Sequence, residues 1–284
     1  MSRIAYQGEP GAFSDQACHT FAQGAEALPC PTFDHVFDAV MTGKADEAMV
    51  PVENAIAGRV DDIYRILPDM ELSIVSEHFL PVKMQLMVSP GADPRGLKYV
   101  RSHAMALSQC RREIAARGLL PDIARDTAGA ARELAEAPDP AIAVIAPEAA
   151  AIRYGLDIVA RDIQDQDHNV TRFLRLTHED KAVWPDLLSG RVMTSMVFRV
   201  RNIPAALYKA LGGFATNGVN LLKLESYQLD ATFAATQFQA EFDGHPDDPP
   251  VQRALEELGF FSSHLKLLGV FPADPYRSAQ TFNN

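Results

Sequence analysis

The sequence predicts an α/β protein in which two α/β lobes precede a C-terminal ferredoxin-like domain of βαββαβ order. Two features of the pattern carry this prediction. Residues 1–180 alternate short β-rich runs with amphipathic stretches, which indicates a mainly parallel sheet covered by helices. After a polar stretch at 178–190 the order becomes strand, helix, two strands, helix and strand within about 80 residues. The length of 284 residues fits about two domains.

The predicted elements of the first 180 residues alternate between strand and helix. In chain order we expect a strand at 4–6, a helix capped by Ser14, a strand at 48–52, a helix at 63–67, strands at 84–88 and 99–100, a helix at 104–117, a strand at 141–145, a helix from Pro147 to Gly155 and a strand at 170–174. Segments 76–81 and 163–169 are typical of crossovers between lobes. They assign residues 1–76 and 165–180 to lobe one and 77–164 to lobe two. A ligand cleft is expected between the lobes, beyond the carboxyl ends of the strands.

The C-terminal elements are expected in ferredoxin-like order. They are a strand at 195–200, a helix opened by Pro204 that ends at Gly218, strands at 221–229 and 234–242, a helix at 251–258 and a strand at 265–271. We therefore predict a separate domain over 192–273.

Composition and charge exclude several classes of partner. The chain has 26 basic and 37 acidic residues and a net charge of −11, which argues against nucleic acid or an anionic membrane as a partner. An anionic ligand must then be attracted locally, by helix N-termini and a few placed arginines. There is no run of 18 apolar residues, and the N-terminus reads as a strand and not as a signal peptide. The three cysteines and eight histidines match neither a disulfide framework nor a metal pattern, so we expect a cytoplasmic protein without a metal.

Several motifs together resemble one family. Gly8-Glu9-Pro10-Gly11-Ala12-Phe13-Ser14, Val52-Glu53-Asn54, Ser102 with Gln109-Cys110, and Asn169-Val170-Thr171-Arg172-Phe173 are similar to the signature motifs of prephenate dehydratases. Ile203-Pro204-Ala205-Ala206-Leu207 and Asn220-Leu221-Leu222-Lys223-Leu224-Glu225-Ser226 resemble the ACT regulatory domain of that family. The likeness runs in order over nearly the whole chain. Two departures are Ala205, where the family usually has glycine, and Tyr227-Gln228, where it usually has Arg-Pro.

The resemblance implies a fold and an activity. The fold is a two-lobed, periplasmic-binding-protein-like catalytic domain over 1–180, followed by the ACT domain. The activity is the carbon–oxygen lyase reaction that converts prephenate to phenylpyruvate, carbon dioxide and water in L-phenylalanine biosynthesis. Because aromaticity of the product drives the reaction, no cofactor is expected.

The resemblance also assigns catalytic residues: Thr171 as the acid, with Glu53 and Arg172. A free threonine hydroxyl is a poor acid, so neighbours must support it. Alternation on a strand sends Asn169, Thr171 and Phe173 to one face and Arg172 to the other. Either the chain is irregular there or Arg172 acts from behind the pocket, and a structural salt bridge remains an alternative. Glu53 is expected to accept a hydrogen bond from Thr171 or from the substrate hydroxyl.

The substrate-binding candidates are Asn54, Ser102, Gln109, Asn169, Phe173 and Ser14. We expect Ser102 to cap a helix whose free N–H groups hold a carboxylate, with Gln109 two turns later on the same face. Ser14 offers a similar helix start. The alternative for both serines is a plain N-cap. The ring carboxylate loses its charge as carbon dioxide forms, so firm anion contacts should go to the pyruvyl carboxylate, with the ring carboxylate against apolar groups such as Phe173.

Regulation by phenylalanine is the remaining implication. The resemblance puts the effector at an interface between paired ACT domains, which implies a homodimer or homotetramer. Its candidate contacts are Ala205, Leu207, Asn220, Leu221, Glu225 and Ser226. Two rival functions stay open. A metal-free bilobed cleft also fits a solute-binding protein, and an enzyme acting on arogenate would need a carboxylate near the substrate ammonium.

Overall fold

A computed structural model of the protein describes residues 2–187, 190–201, 203–228 and 236–279. The strands are β1 (Arg3–Gln7), β2 (Glu26–Cys30), β3 (Glu47–Asn54), β4 (Gly58–Arg59), β5 (Leu72–Pro81), β6 (Gln85–Val88), β7 (Tyr99–His103), β8 (Leu120–Ala124), β9 (Ile142–Ala146), β10 (Asp157–Ala160), β11 (Val170–His178), β12 (Val192–Val200), β13 (Leu221–Gln228), β14 (Thr236–Asp243) and β15 (Ser262–Pro272). The helices are α1 (Phe13–Phe21), α2 (Phe33–Met41), α3 (Asp61–Ile66), α4 (Ala104–Ser108), α5 (Arg111–Ala116), α6 (Thr127–Glu136), α7 (Glu148–Tyr154), α8 (Ala206–Thr216), α9 (Pro249–Phe261) and α10 (Pro275–Ala279). Short 3-10 helices lie at Leu67–Asp69, Pro94–Gly96 and Glu179–Lys181.

The chain divides into two compact units. The first combines residues 1–60 with 79–173, and the second combines 61–78 with 174–284. Of the three boundaries, two fall within strands, one in β5 and one in β11, and the third lies between β4 and α3. The domain limits of 1–180 and 192–273 stay a prediction.

The first unit begins with a parallel sheet. Strand β1 lies between β2 and β3 and runs parallel to both, with Ile4 opposite Ala27 on one side and Glu47 on the other. Parallel neighbours need a crossover between them, and α1 and α2 provide the two crossovers. Helix α2 buries Val36 and Phe37 completely. This arrangement brings the ends of β1 and β3 to one edge of the sheet, where a ligand is expected.

A second sheet of order β10-β6-β9-β7-β8 forms the other lobe of this unit. Strand β7 runs parallel to β8 and β9, whereas β6 is antiparallel to β9 and β10, so the lobe is mixed and not purely parallel. Helices cover both faces. On one face, Ile145 packs in the cluster that includes Leu107 and Ile114. On the other face, the preceding residue, Val144, packs in the cluster that includes Leu134. The two-lobed α/β prediction is therefore confirmed.

The second unit contains the βαββαβ order that the sequence predicts. Its strands lie in the order β13-β14-β12-β15, and the pairs are antiparallel. Helices α8 and α9 pack on one face over a cluster that includes Phe198, Phe214 and Phe242. Residues 229 and 234–235 of the two predicted middle strands lie outside the described residues.

Two local predictions need correction. The helix expected over 104–117 is two helices, α4 and α5, interrupted at Gln109 and Cys110. The carboxylate of Asp165 accepts hydrogen bonds from the backbone N–H groups of Arg111 and Arg112, and so begins a new helix there. The sequence reading also missed four strands and two helices of the first unit: β2, β4, β8, β10, α2 and α6.

Within the described ranges, no group of three or more His, Cys, Asp or Glu side chains is arranged to hold a metal ion. In the same part of the chain, no helix combines the length and the apolar character needed to cross a membrane.

Candidate active site

A cavity of about 730 Å³ opens in the first unit, between loops that follow strands of both sheets. The loops after β1 and β3 and the residues of β11 form one wall, and the loops after β7 and β8 form the other. Its polar wall residues include Glu9, Ser14, Asn54, His103, Gln109, Arg125, Asp126, Arg132, Glu133 and Thr171. Its apolar wall residues include Phe13, Pro29, Pro51, Val60, Val82, Met84, Met105 and Phe173. The cavity lies beyond the ends of the strands, where the sequence analysis predicts a ligand site.

Asn54 fixes the orientation of the Thr171 hydroxyl. The Asn54 Oδ1 accepts hydrogen bonds from the backbone N–H groups of Ile56 and Ala57, at 3.0 and 2.8 Å. Because those groups can only donate, the opposite atom of the side chain is the NH₂ group. That Nδ2 lies 2.9 Å from Thr171 Oγ1 and donates to it. The Thr171 oxygen is therefore an acceptor in this contact, and its own proton remains to be donated elsewhere.

The same amide starts a second chain of hydrogen bonds, which crosses to the other lobe. Asn54 Nδ2 donates to Asn169 Oδ1 at 2.7 Å, and Asn169 Nδ2 donates to Gln109 Oε1 at 2.9 Å. Gln109 lies at the break between α4 and α5, where its carbonyl accepts from the Asp165 N–H. The directions in this chain leave the Gln109 NH₂ group as a donor at the cavity wall. Asn169 is almost fully buried, so it acts as a fixed connector.

Glu53 and Arg172 lie behind the cavity and not in it. Arg172 is 4% exposed and pairs with Glu53, Nη1 to Oε2, at 3.2 Å. Neither residue lines the cavity, whereas Thr171 and Phe173 do. The strand is regular enough for alternation to turn Arg172 away from Thr171. Asn54, and not Glu53 as expected, forms the hydrogen bond with Thr171. The direct catalytic roles of Glu53 and Arg172 stay a prediction.

Ser102 does not cap a helix, contrary to expectation. It is the fourth residue of β7, fully buried, and its hydroxyl donates to the Ile145 carbonyl at 2.6 Å. The cap of α4 is His103, whose Nδ1 accepts from the Met105 N–H. Ser102 thus joins two neighbouring strands. His103 occupies the position at the cavity wall that was expected for Ser102.

Ser14 lines the cavity but is also not an N-cap. Helix α1 begins one residue earlier, at Phe13, and its N-cap is Ala12, without a side-chain hydrogen bond. The nearby Gly11 N–H is bound by the Asp15 carboxylate at 2.7 Å. Ser14 therefore sits in the first turn of α1 with its side chain at the cavity wall.

The first motif, Gly8 to Gly11, holds the two lobes close together. The Tyr154 hydroxyl at the end of α7 donates to the Pro10 carbonyl at 2.7 Å. Gly11 has φ +88°, and a Cβ there would lie 2.9 Å from the Ala150 Cα. Only glycine combines that backbone angle with so close an approach. The motif therefore has a structural reason beyond any contact with a ligand.

The sequence reading missed several charged or polar residues of the cavity wall, among them Glu9, His103, Arg125, Asp126, Arg132 and Glu133. Arg125 and Arg132 come from the loop after β8 and from α6, two elements that were not predicted. The strand–loop–helix run at 120–136, with Asp126 as a helix cap, was the available signal.

The cavity thiol is not activated. Cys30 lines the wall, and burial raises the pKa of its thiol above the ordinary value, so it stays protonated near neutral pH. Burial, with Asp15 nearby, likewise raises the pKa of Tyr6.

The expected effector residues lie in the second unit. Ala205 is the N-cap of α8 with φ +59°, a left-handed conformation, and Leu207 follows in the helix. Asn220 precedes β13, and its carbonyl accepts from the Asp243 N–H. On β13, alternation separates Glu225, which is half-buried, from Ser226, which is exposed. Leu221 packs against the core cluster that includes Phe242.

Comparison with known proteins identifies the family. The prephenate dehydratase family model matches residues 4–181. The chain is 44% identical, over 96% of its length and 97% of the relative, to a Komagataeibacter europaeus protein named bifunctional N-acyl-homoserine lactone acylase/prephenate dehydratase. It is 37% identical to Arabidopsis thaliana arogenate dehydratase/prephenate dehydratase 2, over 96% of this chain and 73% of that one.

A solved structure agrees with these relatives in fold. The Arthrobacter aurescens prephenate dehydratase in complex with L-Phe superposes with a TM-score of 0.86 at 29% identity, covering 95% of this chain and 90% of that one. The sequence matches, the two-lobed fold and the cavity that brings Asn54, Gln109 and Thr171 together lead to one conclusion. The chain belongs to the prephenate dehydratase family.

Proposed function

We propose that the protein catalyses the decarboxylating dehydration of prephenate to phenylpyruvate, carbon dioxide and water. The observation that carries the proposal is the direction of one hydrogen bond. Asn54 donates to the Thr171 oxygen, so the Thr171 proton is available to a leaving hydroxyl in the cavity. Departure of hydroxide is the difficult event in this reaction, and general acid assistance of this type contributes about 10²- to 10⁴-fold.

In the proposed step two bonds to the ring break and one proton moves. The bond from the ring to its carboxylate breaks, and that electron pair enters the ring as it becomes aromatic. The ring carbon–oxygen bond breaks on the opposite side of the ring, and the departing hydroxyl takes the Thr171 proton and leaves as water. Thr171 regains a proton from solvent. The Asn54 N–H stabilises the negative charge that develops on the Thr171 oxygen meanwhile.

The other wall residues orient the substrate. The Gln109 NH₂ group is a second donor at the wall, held by its bond to Asn169. Phe173 contributes an apolar surface against which the ring carboxylate is poorly solvated, and a poorly solvated carboxylate is disfavoured relative to the neutral carbon dioxide that it becomes. Arg172 and Glu53 act as positioning residues, because they brace β11 behind Thr171.

The proposal favours prephenate over arogenate. Arogenate carries an ammonium group where prephenate has a ketone, and an ammonium group would require an available carboxylate. The acidic wall residues Glu9, Asp126 and Glu133 are each engaged with a cation or a backbone N–H group. We expect a higher kcat/KM for prephenate when both substrates are assayed side by side, and a preference for arogenate would contradict this assignment.

The basic test measures phenylpyruvate by its absorbance. We expect turnover by the wild-type protein and a loss of about 10²- to 10⁴-fold in Thr171→Val, which keeps the shape of the side chain and removes the hydroxyl. Thr20→Val is the matched control, because Thr20 is exposed on α1 and its hydroxyl donates to the Gln16 carbonyl of the same helix. Turnover that survives in Thr171→Val would remove the basis of the proposal.

A second activity deserves a direct assay because of the Komagataeibacter relative. That relative is named as an N-acyl-homoserine lactone acylase as well as a prephenate dehydratase. The active-site cavity of the present protein has apolar wall residues against which an acyl chain can pack. A covalent route for such an amide hydrolysis uses a hydroxyl nucleophile, for which Thr171, Ser14 and Thr127 are wall candidates. Chromatographic detection of the freed homoserine lactone, with wild type and Thr171→Val, decides whether the two activities share this site.

We also propose that phenylalanine inhibits the enzyme by binding to the ferredoxin-like part. Three observations support this: the βαββαβ order, the half-buried carboxylate of Glu225 that can bind an ammonium group, and the L-Phe complex of the Arthrobacter protein. Calorimetry should detect phenylalanine binding that weakens in Glu225→Gln. Coupling between effector and active sites is commonly about 5- to 150-fold. Activity that does not respond to phenylalanine would contradict this part.

Exposed apolar side chains in the second unit point to self-association. Leu222 and Leu224 on β13 are 38% and 41% exposed, and Tyr208 on α8 is 81% exposed. Leu222 and Leu224 share the exposed side of β13, and an exposed apolar pair of this kind is typical of an interface. We therefore expect a homodimer or homotetramer, which light scattering on the purified protein tests. Leu224→Asp should lower the oligomeric state, and a monomeric wild-type protein would contradict the expectation.

A further inference from the structure

The charged side chains of the cavity wall are almost all engaged with each other. Arg132 lies 3.7 Å from Glu9, across the cavity, and 3.1 Å from Glu136 on its own helix. Glu133 lies 3.6 Å from Arg101. These groups neutralise one another, so they offer little net charge to a ligand.

Arg125 is the exception among the wall residues that the structure describes. It directly follows β8, at the carboxyl end of that strand, and its side chain is exposed at the cavity wall. The adjacent Asp126 is turned away into α6, where its Oδ1 accepts from the Gly129 N–H at 2.6 Å. Within the described part of the chain, no acidic side chain pairs with the Arg125 guanidinium. In a protein of net charge −11, one uncommitted cation in the cavity is a local attraction for an anion.

We propose that Arg125 binds the carboxylate of the substrate that survives the reaction. This inference rests on the proposed dehydratase activity. Thr171 lies on β11 and meets the leaving hydroxyl, while Arg125 belongs to the loop after β8 in the opposite lobe. In prephenate the pyruvyl arm and the hydroxyl are attached at opposite ring carbons. A guanidinium matches a carboxylate with two parallel hydrogen bonds.

The choice of the surviving carboxylate follows from the chemistry. A cation on the ring carboxylate would stabilise the ground state, because that group loses its charge as carbon dioxide forms. The pyruvyl carboxylate keeps its charge from substrate to product. A contact with it stabilises substrate and transition state equally, and such a contact affects KM and not kcat. Arg125 is therefore a binding residue with a kinetic signature opposite to that of Thr171.

The test compares Arg125→Gln and Arg125→Lys with Arg153→Gln. Arg153 is an exposed arginine in the last turn of α7 and does not line the cavity, so its variant controls for the loss of one positive charge. Steady-state kinetics with prephenate give KM and kcat. Calorimetry with phenylpyruvate, which has the pyruvyl carboxylate but no ring carboxylate, gives a Kd that does not depend on turnover.

For Arg125→Gln we expect KM and the phenylpyruvate Kd to rise about 10- to 100-fold, the range for loss of one hydrogen-bonded charge pair, with kcat within about threefold. Arg125→Lys should be intermediate and Arg153→Gln unchanged. Unchanged KM and Kd in Arg125→Gln would overturn the inference. A raised KM with an unchanged phenylpyruvate Kd would also overturn it, because Arg125 would then bind the ring carboxylate. Absence of prephenate turnover in the wild-type protein is a separate result, which refutes the proposed function and this inference with it.

Discussion

Replacing Asn54 by aspartate reverses the hydrogen bonding at Thr171 and keeps the shape of the side chain. One carboxylate oxygen can still accept from the Ile56 and Ala57 N–H groups, as the amide oxygen does now. The other replaces Nδ2, the group that donates to Thr171 Oγ1 at 2.9 Å. An ionised carboxylate cannot donate, so the Thr171 hydroxyl must turn its proton toward it and away from the cavity.

The expected size of the effect follows from that single lost donor. Removing one preorganised donor to an oxygen that gains charge in the transition state lowers kcat by about 10²- to 10³-fold. The change should depend on pH. The carbonyl oxygens of Asn169 and Val170, at 2.7 and 3.3 Å from the replaced atom, disfavour a negative charge there. At low pH the introduced carboxyl group is protonated, can donate again, and should recover part of the activity.

The assay follows phenylpyruvate formation by Asn54→Asp between about pH 5 and pH 8, a range that spans a raised carboxyl pKa. Asn217→Asp introduces the same charge at the C-cap of α8 and should behave as wild type. We expect the largest deficit at the alkaline end. A variant that stays within about threefold of wild type at every pH would refute the proposed role of Asn54 as the donor to Thr171.

Three further predictions concern stability. Gly11→Ala should destabilise the protein by about 1–3 kcal/mol in urea denaturation, because of its left-handed φ and the approach to Ala150, and an unchanged midpoint would contradict this. Ala205→Gly should stabilise it by about 0.5–1 kcal/mol and raise Tm, since φ is +59° there, and a lower Tm would contradict that. Burial lowers the pKa of the His78 imidazole in the folded state, so the unfolded chain binds a proton at His78 at a higher pH than the folded chain does. The free energy of unfolding should therefore fall as the pH drops below about 6.5. His78→Gln should flatten that decline, and an identical slope in the variant would show that His78 is not the source of the decline.

Much of the fold could be predicted from local pattern. Apolar runs such as 48–52 and 141–145 became buried strands, and the C-terminal order of elements is as predicted. What was missed depends on partners far along the chain. The break between α4 and α5 requires Asp165, 53 and 54 residues from the N–H groups it binds. Strands β2 and β8 each contain a proline, which is tolerated because both lie at a sheet edge.

The candidate site was predictable only where a motif pointed to it. Strand alternation correctly separated Thr171 from Arg172, and the motif containing Asn54 supplied its partner. The role of Ser102 could not be read from its position before a helix, because its partner is the carbonyl of Ile145, 43 residues away. Arg125 belongs to no motif, and it reaches the cavity wall through the packing of the two lobes in the folded chain.

The central claim is that the Thr171 hydroxyl protonates the leaving group. A substrate whose leaving group needs no proton tests this most directly, and the acetate ester of the prephenate ring hydroxyl is such a substrate, since acetate departs as a stable anion. We expect Thr171→Val to lose activity toward prephenate but to convert the ester within about tenfold of wild type, after subtraction of the spontaneous rate. If Thr171→Val is equally impaired with both substrates, the hydroxyl is not acting as the acid and the mechanism is wrong.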